Sequence, residues 1–347
     1  MVFGSPLVHR PKCRRAFQTL SGALALFSAL SLLGCGSSAS SPSQRGQASD
    51  AAARGYPYTV VTTTAMVTDI VRIVAGDNAK VTGLMGEGVD PHLYKPTRND
   101  VRRLMDADIV FYSGLMLEGR MSETFTQIAR TNKPVYAVTA GIDKSSLLQP
   151  AGAQGHWDPH VWMDVSAWSE CVGFVAERLA EFDPPHADAY RQNAAAYRAE
   201  LEKLDGYVRR VIAGIPEQQR VLITAHDAFE YFSRAYSIPV RSIQGISTES
   251  EAGVNDINRL VDFIVERKIK AIFVESSVSQ QNIRAVVEGA AQKGWEVAIG
   301  GQLFSDAMGR AGTYEGTYIG MIDHNATTIA RSLGGEAPEK GFLGKLQ

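Results

Sequence analysis

Residues 184–216 read PPHADAYRQNAAAYRAELEKLDGYVRRVIAGIP, and this one stretch decides the architecture. Its apolar positions, Tyr190, Ala194, Tyr197, Leu201, Leu204, Val208, Val211 and Ile215, are separated by alternating steps of four and three. That spacing lays one continuous stripe along a helix. Pro184-Pro185 suit a helix start and Pro216 a stop. The stripe predicts a single helix of about 30 residues, roughly 45 Å long. It covers only about four heptads and includes an alanine and two tyrosines, so a rigid spine between two lobes fits better than a two-stranded coiled coil.

Both flanks of the spine alternate strand and helix. Before it, strands are expected at Tyr58–Thr63, Lys80–Met85, Asp108–Ser113 and Pro134–Thr139. Helices are expected at Ala65–Ala75 and Asp100–Ala107, the second with Thr97 as its cap. After it come strands Arg220–Ala225, Pro239–Ile243, Ala271–Glu275 and Glu296–Gly300. Helices Ala228–Tyr236, Val254–Arg267 and Gln280–Gln292 lie between them, and a final helix lies within Thr313–Ser332. Such alternation predicts an α/β fold with mostly parallel sheets flanked by helices. The reading is two lobes, residues 57–183 and 216–347, joined by the linking helix 184–215.

Four metal-capable side chains fall at equivalent places in this scheme. His92 follows the second strand, His160 the fourth, His226 the strand after the spine, and Asp306 the last strand. They are 68, 66 and 80 residues apart, so only a tertiary fold can gather them. Open α/β sheets bind ligands beyond the carboxyl ends of their strands. Two lobes facing one another would therefore bring two donors each to one ion. Three imidazoles and a carboxylate make a complete set for a borderline divalent cation. Taken singly, each residue has a plainer reading. His92 and His160 each follow Asp-Pro and suit surface turns; Asp306 and His226 could cap helices. Their shared topological position favours the joint reading.

Other polar groups have thinner claims. Glu275 ends a strand at the same edge, either as an acceptor orienting a histidine or as a structural cap. Asp164 and Glu249 are similar but weaker. His156 precedes His160 by four, but the intervening Pro159 argues for a loop and leaves His156 a reserve ligand. His186 reads as solvated and His324 as packed or on the surface.

The N-terminus places the protein outside the cytoplasm. Arg10, Lys12, Arg14 and Arg15 precede the apolar stretch Gly22–Leu33, which is short for a membrane span. It ends in Leu32-Leu33-Gly34-Cys35, which resembles a bacterial lipobox and implies cleavage before Cys35 and lipid on that cysteine. Arg14-Arg15-Ala16-Phe17 also partly matches a twin-arginine export signal. Residues 1–34 are thus read as a signal peptide and 35–56, rich in Ser, Ala, Gly and Gln, as a tether. Removing residues 1–34 takes away four positive and no negative charges, moving the net charge from −2 to −6. An acidic body argues against nucleic acid as a partner. Cys171 then has no partner for an internal disulfide and reads as a buried helical residue.

The motifs Pro91-His-Leu-Tyr-Lys-Pro-Thr97, Asp158-Pro-His-Val-Trp-Met-Asp164, Thr224-Ala-His-Asp-Ala-Phe229, Gln244-Gly-Ile-Ser-Thr-Glu249 and Gly301-Gln-Leu-Phe-Ser-Asp306 resemble the substrate-binding lipoproteins of manganese/zinc ABC transporters, the TroA-like, cluster 9 proteins. The resemblance covers about residues 57–335. It implies two α/β lobes on a rigid helix, and one Zn²⁺ or Mn²⁺ per chain bound by His92, His160, His226 and Asp306. It also implies a monomer that delivers the ion to a membrane permease with a cytoplasmic ATPase. Two departures bear on the metal. Many manganese-importing relatives carry Glu where His226 stands, and zinc relatives often carry a His-rich acidic loop that residues 143–155 lack. Three neutral imidazoles and the affinity order favour zinc, with both ions binding. The alternatives are a zinc-dependent hydrolase, which would need an open coordination position and a general base, and an adhesin or binder of chelated metal, which would need an open pocket.

Overall fold

Strand β1 (Tyr58–Thr62), one tyrosine and four β-branched residues, is followed by helix α1 (Ala65–Ala75), whose first turn is capped by the Thr64 side chain. Strand β2 (Ala79–Gly83) leads through the His92 loop to α2 (Arg98–Asp106), where Thr97 and Asp100 form the expected capping box. Then come β3 (Ile109–Tyr112), α3 (Ser122–Ala129), β4 (Val135–Ala137) and α4 (Val165–Phe182). The four strands form one parallel sheet in the order β2-β1-β3-β4. These elements come from a computed structural model that describes residues 55–150 and 155–347. The signal segment, Cys35 and nearly all of the tether lie outside the described residues.

The spine is helix α5 (Ala187–Ala213), 27 residues long, preceded by a 3₁₀ turn over Pro184–His186. The α-helix starts three residues later than the prolines alone suggest, because Asp183 organises that turn. Its carboxylate accepts the Tyr56 and Tyr190 hydroxyls and pairs with His186 Nδ1 at 2.9 Å, so His186 is half-buried rather than solvated. All eight stripe positions are buried. The stripe packs against α4 and, near its start, against α1, where the Asn193 amide donates to the Val74 carbonyl at 3.1 Å.

Beyond the spine, β5 (Leu222–Thr224), α6 (Glu230–Tyr236), β6 (Val240–Ser242), α7 (Val254–Arg267), β7 (Ala271–Glu275), α8 (Gln281–Gln292), β8 (Ala298–Leu303) and α9 (Tyr318–Ser332) complete the chain. Strands β5–β6 and β7–β8 pair in parallel, with β5 beside β7. Strand β8 runs three residues past the expected end. A register shift opposite Ile272 and Phe273 and the left-handed φ of Gly301 (147°) let pairing continue to Leu303. Gly300-Gly301 is therefore a bulge inside the strand, and the strand's true end brings Asp306 to the sheet edge.

The described residues belong to one compact unit. A single apolar cluster includes Phe111 of β3, Trp168 of α4, Leu201 of α5, Phe273 of β7 and Ile329 of α9, so it runs from the four-stranded sheet through the spine to the strands beyond it. Smaller clusters fill the outer faces under α2–α3 and α7–α8. Hydrogen bonds follow the same path. Trp162 Nε1 donates to the Ser305 carbonyl at 2.8 Å, and the Tyr318 hydroxyl donates to the Trp162 carbonyl at 2.8 Å. Cys171 is buried in α4, as its pattern predicts.

Candidate metal centre

His92 and His160 are built by the same turn. In Asp90-Pro91-His92, Asp90 Oδ1 accepts the His92 backbone N–H at 2.8 Å; in Asp158-Pro159-His160, Asp158 Oδ1 accepts the His160 backbone N–H at 2.9 Å. Each aspartate thus folds its own chain back to aim the histidine two residues on. The turns are real, as the Asp-Pro signature suggested, but both rings are buried rather than on the surface. Asp158 also holds the His160 ring, with Oδ1 at 2.7 Å from Nδ1.

His226 sits just past β5, and Glu275, the last residue of β7, holds it. Glu275 Oε1 accepts the backbone N–H of Ala225 at 2.7 Å and of His226 at 2.9 Å, while Oε2 lies 2.5 Å from His226 Nδ1. Glu275 therefore joins both roles left open by its sequence position: it braces the backbone between strands and orients the ring. Carboxylates against Nδ1 of His160 and His226 leave Nε2 as the free donor on each ring.

Asp306 closes the set. Its carboxylate lies 3.1 Å from His226 Nε2, 3.4 Å from His160 Nε2 and 3.8 Å from His92 Nε2. His92 Nε2 and His160 Nε2 are 3.3 Å apart. One donor atom from each of the four residues lies within 4.8 Å of the others, and all four residues are buried. A tetrahedral ion with ligand distances of about 2.0–2.1 Å needs donors roughly 3.3–3.4 Å apart, so these separations bracket the requirement. Both Asp306 oxygens and His226 Nε2 are buried without a hydrogen-bond partner. Buried polar atoms left unpartnered are costly, and a cation at their common focus would satisfy all three.

The electrostatics of the metal-free site are polarised. Burial pushes His92 down to about 4. Burial acts the same way on His160, but the Asp158 and Asp306 carboxylates outweigh it and raise His160 to about 9. His226 is driven well above its usual value, Glu275 and Asp306 overcoming its burial. Burial alone would raise Asp306, yet the neighbouring histidines hold it well below the usual carboxylate range. The site is thus ready to hold positive charge, as protons or as a metal ion.

The remaining candidates lie elsewhere. His156 is exposed, outside the four-residue group. Asp164 caps α4 and pairs with Arg234 at 3.3 Å; Glu249 pairs with Arg120 at 2.8 Å. Helix α6 begins at Glu230 without a side-chain cap, so neither His226 nor Asp227 caps it, and no helix follows Asp306 directly. Sequence reasoning missed Asp158 and Asp90. The repeated Asp-Pro-His was the available signal.

Comparison with known proteins places this geometry among relatives. The family described as zinc-uptake complex component A, periplasmic, matches residues 60–332. The manganese-binding lipoprotein MntA of Bacillus subtilis (strain 168) is 46% identical over 311 residues, covering 90% of this chain and 98% of the relative. The zinc-binding protein TroA of Treponema pallidum (strain Nichols) is 48% identical over 284 residues, covering 82% and 91%. Among solved structures, the periplasmic zinc binding protein TroA from Treponema pallidum aligns with a TM-score of 0.78 at 47% identity, over 80% of this chain and 99% of that one. Fe(III)-bound YtgA from Chlamydia trachomatis aligns with a TM-score of 0.73 at 27% identity, over 81% and 100%.

Proposed function

The chain belongs to the periplasmic zinc-uptake component A family, and on that premise we propose that His92, His160, His226 and Asp306 are the ligands with which it captures one Zn²⁺ or Mn²⁺. It is the extracytoplasmic substrate-binding component of a metal ABC importer, whose partners are a permease and an ATPase. The observation that carries the ligand assignment is the convergence of four donors from four separate loops on one buried point, with three atoms there unpartnered.

Each residue has a task. His160 and His226 present Nε2 because Asp158 and Glu275 take their other nitrogens. His92 supplies a third imidazole, and its depressed basicity keeps it free of protons. Asp306 brings the negative charge that offsets part of the cation's own. Binding exchanges the ion's water for fixed donors and displaces protons from His160 and His226. Zinc is favoured by the three imidazoles; a bidentate Asp306 would raise the coordination number and admit manganese.

The finer organisation follows the same reading. Residues 57–183 and 216–347 act as the two binding lobes on the 184–215 linker. Residues 1–34 direct export, Cys35 carries the lipid, and residues 35–56 tether a monomer to the outer side of the cytoplasmic membrane. Metal analysis and anomalous scattering at the zinc and manganese edges test the site. One equivalent at the four-residue focus is expected; two tight equivalents, or an ion elsewhere, would overturn the assignment.

A further inference from the structure

Trp162 stands two residues after His160 and reaches the chain one residue before Asp306. It lies in the 3₁₀ turn Val161–Met163, which opens directly from His160. Its Nε1 donates to the Ser305 carbonyl at 2.8 Å, and its own carbonyl accepts the Tyr318 hydroxyl at 2.8 Å. Trp162 and Ser305 are both buried. Neighbouring rings hold the indole, with His160 at 5.2 Å and Trp168 at 6.5 Å between centroids, both edge to face. Trp168 in turn lies 5.9 Å from the Tyr318 ring. A tryptophan side chain turns about only two torsions, and close packing locks both.

The far end is also pinned. Asn325 of α9 accepts the Phe304 N–H at 2.9 Å and donates to the Phe304 carbonyl at 2.7 Å. Ser305 Oγ shares a hydrogen bond of 3.0 Å with Oγ of Ser277, two residues past Glu275. The indole is therefore a rigid spacer between a donor from before the spine and a donor from beyond it. Across it, His160 Nε2 and Asp306 Oδ1 are 3.4 Å apart, the edge of a zinc tetrahedron with ligand distances of about 2.0–2.1 Å. Mn²⁺, larger and suited to more oxygen ligands, needs a different spacing. We propose that Trp162 is a specificity-determining positioning residue, whose N–H bond to Ser305 fixes the His160–Asp306 spacing and so favours zinc over manganese. This rests on the reading of the four donors as the ligands. Asp158 and Glu275 each orient one ring, whereas Trp162 sets the distance between two ligands.

The experiment uses the full mature chain. Trp162→Phe keeps a packed ring and removes the N–H. Zn²⁺ affinity, from competition titration, should fall about tenfold, the scale of a lost outer partner, while Mn²⁺ affinity changes by less than about twofold. With Co²⁺ as a spectroscopic probe of the zinc site, the strong visible bands of four-coordinate cobalt should weaken in the variant. Tyr318→Phe removes only the bond to the Trp162 carbonyl and should move both readouts the same way, with about a threefold change in the zinc-to-manganese ratio. It decides the question if Trp162→Phe does not fold. Trp295→Phe is the control for structure alone. Trp295 Nε1 makes the same kind of bond, to the Ile269 carbonyl at 2.7 Å, against the cluster under α7 and α8. That variant should lower thermal stability and leave the ratio and the cobalt bands unchanged. A ratio unchanged in Trp162→Phe, or in Tyr318→Phe where that variant alone folds, would overturn the proposal, as would an equal shift in Trp295→Phe. A wild type that takes up no tight equivalent of Zn²⁺, or lacks four-coordinate cobalt bands, would instead overturn the ligand assignment.

Discussion

Thr248 donates its hydroxyl to Asp90 Oδ2 at 2.6 Å, and the other oxygen of the same carboxylate holds the His92 backbone at 2.8 Å. A residue from beyond the spine therefore steadies a histidine from before it. Arg120 and Glu249 make a second crossing nearby, at 2.8 Å. Thr248→Val should leave the buried donors intact but loosen His92. Metal dissociation is expected to quicken about tenfold, the scale of one hydrogen bond to a charged group. A chelator chase by stopped flow reads this directly, and an unchanged rate would show that the crossing does not hold the ligand.

Glu275→Gln keeps the shape of the brace and removes its charge. Loss of such an orienting carboxylate costs about 10–100-fold in metal affinity. Calorimetric titration should show a fall in that range, with stoichiometry still near one. A change under twofold would make Glu275 a backbone brace alone.

The pH dependence should extend higher than free histidine implies. Three ordinary imidazoles would release metal as pH falls through roughly 6.5. In the folded, metal-free site, His160 is raised to about 9 and His226 is also raised, so both hold protons at neutral pH. Metal binding at pH 7 should release more than one proton, seen as a buffer-dependent enthalpy, and affinity should keep rising towards pH 9. The sign for the empty protein is opposite. The raised pKa values stabilise it fully below about 6.5, and that contribution is lost as pH rises through about 9. An affinity that levels off above pH 6.5 would contradict the geometry.

His226→Glu is expected to shift preference from zinc towards manganese, because carboxylate is the harder ligand. The new carboxylate would face Glu275, which now sits 2.5 Å from the His226 ring. The shift should therefore be larger in His226→Glu combined with Glu275→Gln. Competition titrations of both ions decide it, and a zinc-enriched ratio in either variant would count against the argument.

Cys35→Ala should release the protein from the membrane fraction while leaving metal binding unchanged, since several acyl chains are needed for stable anchoring. Retention of the variant in membranes, or an unlipidated wild type by mass spectrometry, would refute the anchor.

Much of this was legible in the sequence because the signals were local. Ala65–Ala75, Val254–Arg267 and Ala271–Glu275 fall where periodicity puts them. The four donors could be grouped because each follows a strand at the same sheet edge. What escaped depended on long-range contacts. Gly300-Gly301 looks like a strand end until β7 supplies the partner that carries it on to Leu303. The carboxylate of Asp158 announces no role until His160 folds against it, and the two readings of Glu275 merge only once His226 and its backbone fold against it.

The apolar interior continuous from β3 through the spine to α9 has a further consequence. In the proposed site the four candidate donors are held together by the fold itself. Packed interiors compress and stretch little. An ion of unsuitable radius must therefore work against the stiffness of the whole body instead of swinging one half aside. Size discrimination then belongs to the elasticity of the scaffold as much as to the chemistry of the donors. A substitution that softened the contact of α4 with α5 would blur the choice between ions before it weakened the hold on any one of them.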